Sequence, residues 1–269
     1  MSKIPYALNT AGVQFTNSSY GWFFCACCRG RFYKVNYNTI VLQLQHHYNE
    51  TQMKKIQIIT LFPEMFPGVL NASMLWKAQD KQAVEFTYIN LRDFGLGPRK
   101  QVDDTPYGGG DGMLLKPEPL IAAIEQAKQN DPGALVLLPT PRGTVYKQSH
   151  AKELAAVDHG LIIICPRYEG YDERITKWVD RQYCIGSYVL TGGELPAMII
   201  ADSVVRLLPG VLGGEASAEI ESFQQDDQSI EFPQYTRPEV FQGVPVPDVL
   251  ISGHHAEIAK WRAAHSKKA

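Results

Sequence analysis

No stretch of roughly 18 consecutive apolar residues occurs in the 269-residue sequence, which therefore predicts no transmembrane helix. Net charge is also small, 26 Lys and Arg against 28 Asp and Glu, a formal −2. Any nucleic-acid partner must then be held by a local basic patch, because the overall charge offers no attraction. Cysteine is scarce, five in all, and the odd number argues against a fully paired disulfide framework. Three of the five form C-A-C-C at Cys25, Cys27 and Cys28, with His46 and His47 downstream. Adjacent cysteines share one tetrahedral site poorly and C-x₂-C is absent, so no metal site is assigned. The N-terminus lacks a basic start, an apolar core and a small-residue cleavage site, so no signal peptide is predicted and a cytoplasmic enzyme is expected.

The composition that is present, 45% apolar and 20% charged, is that of an ordinary globular protein. It is unevenly spread. Residues 1–52 carry Lys3, Arg29, Arg31 and Lys34 against Glu50, a net +3, and 10 of the 28 aromatics; the remainder is −5. This break predicts an N-terminal extension, poorly ordered and without assigned function, in which only 39–44 (T-I-V-L-Q-L) reads as a strand. From Met53 strands and helices alternate. Apolar runs at 56–62, 134–138 and 161–165 and the period-two pattern of 84–90 read as strands, as does 186–190. Helices are expected to open at Pro63 and Pro117 and to cover 148–157, 173–179, 194–208 and 255–264. That alternation predicts a parallel α/β sheet. Residues 214–235, polar and acidic, read as a linker or loop too long to be only a connection. The remainder, 236–269, is too small for a core of its own.

Glycine and proline gather at the ends of the predicted strands, where open α/β sheets bind ligands. The loops are P-T-P-R-G (139–143), P-R-Y-E-G (166–170), I-G-S-Y-V-L-T-G-G-E-L-P (185–196) and Y-G-G-G-D-G (107–112). Glycine lets backbone approach a ligand closely, and walls of Leu, Ile and Pro suit a flat purine. Neither G-x-x-x-x-G-K-[ST] nor a G-x-G-x-x-G opening a helix is present, so no nucleotide fingerprint holds.

Six strings occur in order: L-F-P-E-M-F (61–66), D-D-T-P-Y-G-G-G-D-G-M (103–113), R-Y-E-G-Y-D-E-R (167–174), I-G-S-Y-V-L-T-G-G-E-L-P-A-M (185–198), P-G-V-L-G (209–213) and Y-T-R-P-E (235–239). With them the chain from Met53 onward resembles the bacterial tRNA (guanine-N1)-methyltransferases of the SPOUT superfamily. The resemblance implies an α/β domain with a C-terminal trefoil knot over 53–213 and a small, shortened α-helical tRNA-binding domain over 236–269. It also implies a homodimer that transfers a methyl group from S-adenosylmethionine to N1 of guanosine 37 in tRNA, just 3′ of the anticodon. By motif match the donor would sit against Leu138, Pro139, Pro141 and Gly143, then Pro166, Tyr168, Glu169 and Gly170. The third loop would add Ile185, Gly186, Ser187, Tyr188, Val189, Leu190, Gly192 and Gly193. Magnesium is implied as well, with no site legible in the residues.

N1 of guanine carries a proton, so the chemistry needs an acceptor there and a cation near O6, where charge grows. The resemblance assigns the first role to Glu221, with Glu219 as the alternative, and the second to Arg206. Arg92, Arg99 and Lys100 resemble the family's basic RNA-contacting stretch, and Glu231 and Arg237 a segment that reaches the neighbouring subunit's site. The chain departs from the family pattern in four places: Glu221 replaces the usual Asp, Pro166 a Gly and Thr105 an Arg, and the C-terminal domain is short. Glutamate adds a methylene; an uncompensated displacement of about 1 Å costs on the order of 10²-fold in rate. Two alternatives stay open at this level: a relative that binds the donor or tRNA without turnover, and a SPOUT methyltransferase with another RNA target.

Overall fold

The chain divides into two units, Met1–Gln52 and Met53–Ala269. The computed structural model describes residues 20–25, 31–36, 53–212, 221–223 and 226–268. In the first unit β1 (Tyr20–Cys25) pairs antiparallel with β2 (Arg31–Asn36), Cys25 opposite Arg31. Sequence periodicity missed both strands. The strand expected at 39–44, Cys27, Cys28 and both histidines of that unit lie outside the described residues.

The second unit is built on strands with apolar side chains on both faces. β3 (Lys54–Thr60) is followed by two short helices, α1 (Pro67–Leu70) and α2 (Ser73–Asp80), before β4 (Val84–Asn90). A two-residue ladder joins β5 (Asp103–Asp104) to β6 (Leu114–Leu115) and frames the glycine-rich 107–112 loop. Then come α3 (Pro117–Asn130), β7 (Leu135–Val145), α4 (Gln148–Ala156), β8 (Leu161–Ile164), β9 (Arg181–Cys184) and α5 (Glu194–Val205). The five long strands form one sheet in the order β4-β3-β8-β7-β9, every pair parallel.

Alternation along the strands sorts the core into two layers. Ile56, Ile58, Leu137, Leu161 and Ile163 face one way and pack with Leu70 and Leu75 of the first helices, Leu154 of α4 and Ala197, Ala201 and Val204 of α5. Ile59, Val136, Leu138, Ile162 and Ile164 face the other way onto Leu120, Ile124 and Ala127 of α3. Burying each such Ile or Leu is worth roughly 1.5–3 kcal/mol. Gln57, buried on the second face, is satisfied: its amide donates to the Ala127 carbonyl (2.9 Å) and accepts from Asn130 (3.0 Å).

Four expectations need correction. β7 runs on to Val145 through Pro139 and Pro141 instead of ending at 138. Its last pair with β8 is Leu137 with Ile163, so beyond it no strand on that side claims the N–H groups proline lacks. Residues 186–190 are loop, and the strand is β9 just before them. Residues Glu173–Trp178 form a 3-10 helix, not an α-helix, and α5 stops at Val205 with Arg206 as its C-cap.

The C-terminal part has β10 (Ser229–Ile230), the hairpin β11 (Val240–Phe241) and β12 (Val244–Pro245), α6 (Asp248–Ile251), α7 (His255–His265) and β13 (Lys267–Lys268). β13 pairs back onto β10. None of residues 236–267 is buried. Ring contacts there centre on Trp261, which stacks on His265 at 4.0 Å and meets Tyr235 edge-on, and on Arg262 over the Phe232 ring.

Lys54, at the start of β3, is only 6% exposed and donates through Nζ to the Val157 carbonyl (2.6 Å). Burial pushes its pKa down from 10.5 to about 8, against the opposing pull of Asp158 and Asp131. Between those two pH values the unfolded chain binds the extra proton, so this group makes stability rise with pH. Between pH 8 and pH 10 the stability of wild type relative to Lys54→Met should therefore improve by on the order of 1–2 kcal/mol. Urea unfolding of both proteins across that range measures it; parallel curves would refute the assignment.

Candidate active site

β8, β7 and β9 end side by side, and the loops that leave them enclose a cleft of about 550 Å³. Its walls are the segments 139–142, 166–171, 183–186 and 188–193 with Glu173, and Leu114 and Pro196 stand at the margin. The volume is that of a small-molecule site, and the lining mixes apolar rings and side chains with a few charged groups, as such sites do.

The loops meet through backbone, which is why glycine recurs in them. A Cβ on Gly193 would lie 2.4 Å from Pro166 Cδ and 2.7 Å from Cys165 Cα, while the Gly193 amide donates to the Pro166 carbonyl at 2.8 Å. A Cβ on Gly143 would lie 2.5 Å from the Gln182 carbonyl carbon. There β7 bulges: Pro139 and Thr144 both pair with Tyr183, and Thr140, Pro141 and Arg142 of the inserted turn line the cleft. Tyr168 sits at φ +61°, a strained conformation for a bulky residue, and follows Arg167 at the turn of the second loop. Partial burial holds its phenol above the usual range, so it stays a protonated donor.

Charge fixes the arrangement. Arg167 Nε lies 2.8 Å from Glu194 Oε2, and Glu194 is 1% exposed. The N–H does not point at that oxygen, so the contact is an ion pair rather than a directed hydrogen bond. Glu194 Oε1 accepts from the Thr60 hydroxyl (3.0 Å), and the Arg167 guanidinium covers the Phe62 ring at 4.5 Å. The 107–112 loop is tied to the same place: Glu169 N–H donates to the Met113 carbonyl (3.0 Å) and Leu115 N–H to that of Gly170 (3.0 Å).

Of the sixteen residues expected around a donor, all but three line this cleft. Leu138 is in the core, Gly143 lies under the bulge and Ser187 is on the exposed loop outside the lining. Sequence reasoning missed Thr140, Arg142, Arg167, Tyr171, Glu173, Cys184 and Thr191, which also line it. Arg142 and Arg167 stood inside the strings already quoted, whereas nothing in the pattern marked Cys184.

Arg206 and Glu221 are brought together. One Arg206 nitrogen, Nη2, lies 2.6 Å from both carboxylate oxygens, and both side chains are about 70% covered, 28% and 30% exposed. Neither lines the cleft. About 20 Å of α5, at 1.5 Å per residue, separates Arg206 from Gly193 at the helix start. Glu219 lies outside the described residues. Glu231 belongs to the same loop as Glu221, its amide donating to Ser222 Oγ at 3.1 Å. Arg92, Arg99 and Lys100 are exposed beyond β4, Lys100 paired with Asp93 at 3.3 Å, and Arg237 is exposed in the C-terminal part.

A family model described as tRNA (Guanine-1)-methyltransferase TrmD matches residues 53–269. The chain belongs to that family. Relatives named tRNA (guanine-N(1)-)-methyltransferase include one from Geobacillus kaustophilus, 53% identical over 79% of this chain and 86% of its own length. Another, from Myxococcus xanthus, is 52% identical over 77% of this chain and 83% of its own. A crystal structure of a tRNA (m1G37) methyltransferase from Aquifex aeolicus superposes with a TM-score of 0.66 at 37% identity, covering 80% of this chain and 89% of that one. In this methyltransferase chain residues of the 167–174 and 185–198 strings line one cleft, and the Arg206–Glu221 ion pair lies at the opposite end of α5.

The loop contact at Gly193 leaves no room. Gly193→Ala should cost on the order of 1–3 kcal/mol, because the methyl meets backbone and a proline ring that cannot turn aside. Gly68→Ala in α1, where a Cβ would meet nothing within 4 Å, should be neutral or stabilising by up to about 1 kcal/mol. Denaturant midpoints of the two variants distinguish them; equal effects would contradict the close approach.

Proposed function

We propose that this chain transfers a methyl group from S-adenosylmethionine to N1 of guanosine 37 in cytoplasmic tRNA, working as a homodimer whose sites are each shared by two subunits. The observation that carries the reading is the Arg206–Glu221 pair at 2.6 Å, an acceptor and a cation side by side on a chain of this family. Its distance from the cleft carries the dimer. One guanine cannot touch both ends of a helix about 20 Å long, so the pair of one subunit must serve the cleft of the other. The outer face of α5 suits a second copy: Leu195 and Ile199 are 51% and 45% exposed on it, beside the exposed Asp202, and Val189 beside the cleft is 89% exposed.

S-adenosylmethionine, when bound, supplies an electrophilic methyl on a sulfonium. The residues present fit it: Pro139, Pro141, Ile185 and Leu190 offer apolar walls for a purine, and Glu169 offers negative charge to a cationic ligand, while Glu173 is paired with Arg142 at 3.1 Å. Guanine N1 lies on the pairing edge, so the base must be unstacked to reach the site, as an anticodon loop permits. Glu221 then accepts the N1 proton while Arg206 stays beside O6 as negative charge grows there. Pro166, which carries no N–H, contributes through its carbonyl to Gly193. The trefoil crossing of the 53–213 domain rests on membership of the family. The 214–235 segment serves as active-site loop and 236–269 as tRNA-binding domain, with Arg92, Arg99, Lys100, Glu231 and Arg237 on the RNA side. Magnesium is given no ligand: among the described residues no group of three or more His, Cys, Asp or Glu is placed to hold a metal.

Labelled-methyl transfer to unmodified tRNA should mark the transcript with G at position 37 as N1-methylguanosine and leave the one with A unmarked. Glu221→Ala should lower kcat by at least about 10²-fold. Mixed dimers of Glu221→Ala with the cleft-blocking Leu190→Arg should regain activity that neither homodimer has. Donor binding without transfer would overturn the activity, and failure of the mixed dimers would overturn the shared site.

A further inference from the structure

The loop that carries Glu221 is moored at its far side by a carboxylate that plays no part in the chemistry above. α4 opens on Lys147, whose side chain has no acceptor to offer the helix's free amides. The acceptor comes from elsewhere in the chain. Asp227 Oδ1 takes the Ser149 amide at 3.1 Å, and Oδ2 takes the Ser149 hydroxyl at 2.8 Å. Lys147 Nζ stands 3.8 Å away. A carboxylate at a helix N-terminus also meets the favourable end of the dipole. The Ser149 hydroxyl and amide hold the Asp227 carboxyl below its ordinary range.

The mooring is on the same frame as Arg206. Tyr146, just before α4, bonds Ser203 of α5 at 2.8 Å, one turn short of Arg206. Within the loop, Phe223 N–H donates to the Ser229 carbonyl, Gln228 N–H to Asp226 Oδ1 and Glu231 N–H to Ser222 Oγ. Glu221 is thus held at one side by Arg206, and Asp227 fixes the opposite side of the same turn to α4.

Resting on the reading of Glu221 as proton acceptor, we propose that Asp227 is a positioning residue: by accepting from Ser149 it sets where the Glu221 carboxylate lies relative to Arg206. Because a displacement of about 1 Å is worth on the order of 10²-fold in rate, the mooring belongs to catalysis rather than only to stability.

The test uses the full chain with Asp227→Ala, Asp227→Asn and Glu221→Ala, measuring kcat, KM for S-adenosylmethionine and amide exchange at Ser149 and Phe223. Asp227→Ala should lower kcat at least about 10-fold with KM for the donor unchanged, and both amides should exchange faster. Asn, which keeps an acceptor of the same shape, should restore most of kcat. A wild-type kcat in Asp227→Ala, with or without faster exchange, overturns the proposal, and so does a loss that Asn leaves uncorrected. Wild-type turnover by Glu221→Ala would instead overturn the reading of the base, so the two failures are distinct.

Discussion

The cleft depends on one buried carboxylate. Glu194 stands in the first turn of α5, where the helix dipole favours negative charge, and is almost wholly removed from water. It meets Arg167 from the loop after β8 and Thr60 from the end of β3. Two neighbouring strand ends and the start of α5 are therefore tied through a single side chain. Removing one partner from such a buried pair costs roughly 3–5 kcal/mol, since the other charge is left without compensation. The pair also explains why the two loops can cross through backbone alone. With Arg167 drawn onto Glu194, Gly192 and Gly193 must pass where any side chain would strike Arg167, Pro166 or Cys165.

Much of this was legible in the residues. Apolar runs of four to seven residues became the buried strands because a sheet covered on both faces needs no polar alternation, and the proline-opened, 3.6-periodic stretch from Pro117 became α3. The misreadings at 186–190 and at the two prolines have different causes. The segment 186–190 is rich in apolar residues that face a cleft or solvent, not a sheet, and Val189 is among the most exposed side chains of the chain. Periodicity records that a residue is apolar and not what it faces. The prolines at 139 and 141 misled in the opposite sense, because whether proline breaks a strand depends on which neighbour would have used its N–H, and that is a property of the sheet.

The site was legible in type and not in arrangement. Glycine at strand ends marked loops that line one cleft, and the family resemblance singled out a Glu and an Arg that form an ion pair, yet nothing in their spacing places that pair and the cleft at opposite ends of one helix. That separation is three-dimensional. Equally, Asp227 read only as one acid in a polar stretch, because its partner Ser149 lies 78 residues away.

α5 turns these separate facts into one constraint. A twelve-residue helix, packed on its inner face by Ala197, Ile200, Ala201 and Val204, has no freedom to bend, so its two ends keep a fixed separation. The cleft is built on its first turn through Glu194, and the Glu221 carboxylate is held at its C-cap through Arg206. A longer carboxylate at 221 is compatible with this geometry, because Arg206 lies on the cap of a rigid helix and presents a fixed nitrogen to both of its oxygens. The loop carries a second tether at Asp227 and Ser149, so the turn that bears Glu221 is held both at the cap of α5 and at the start of α4.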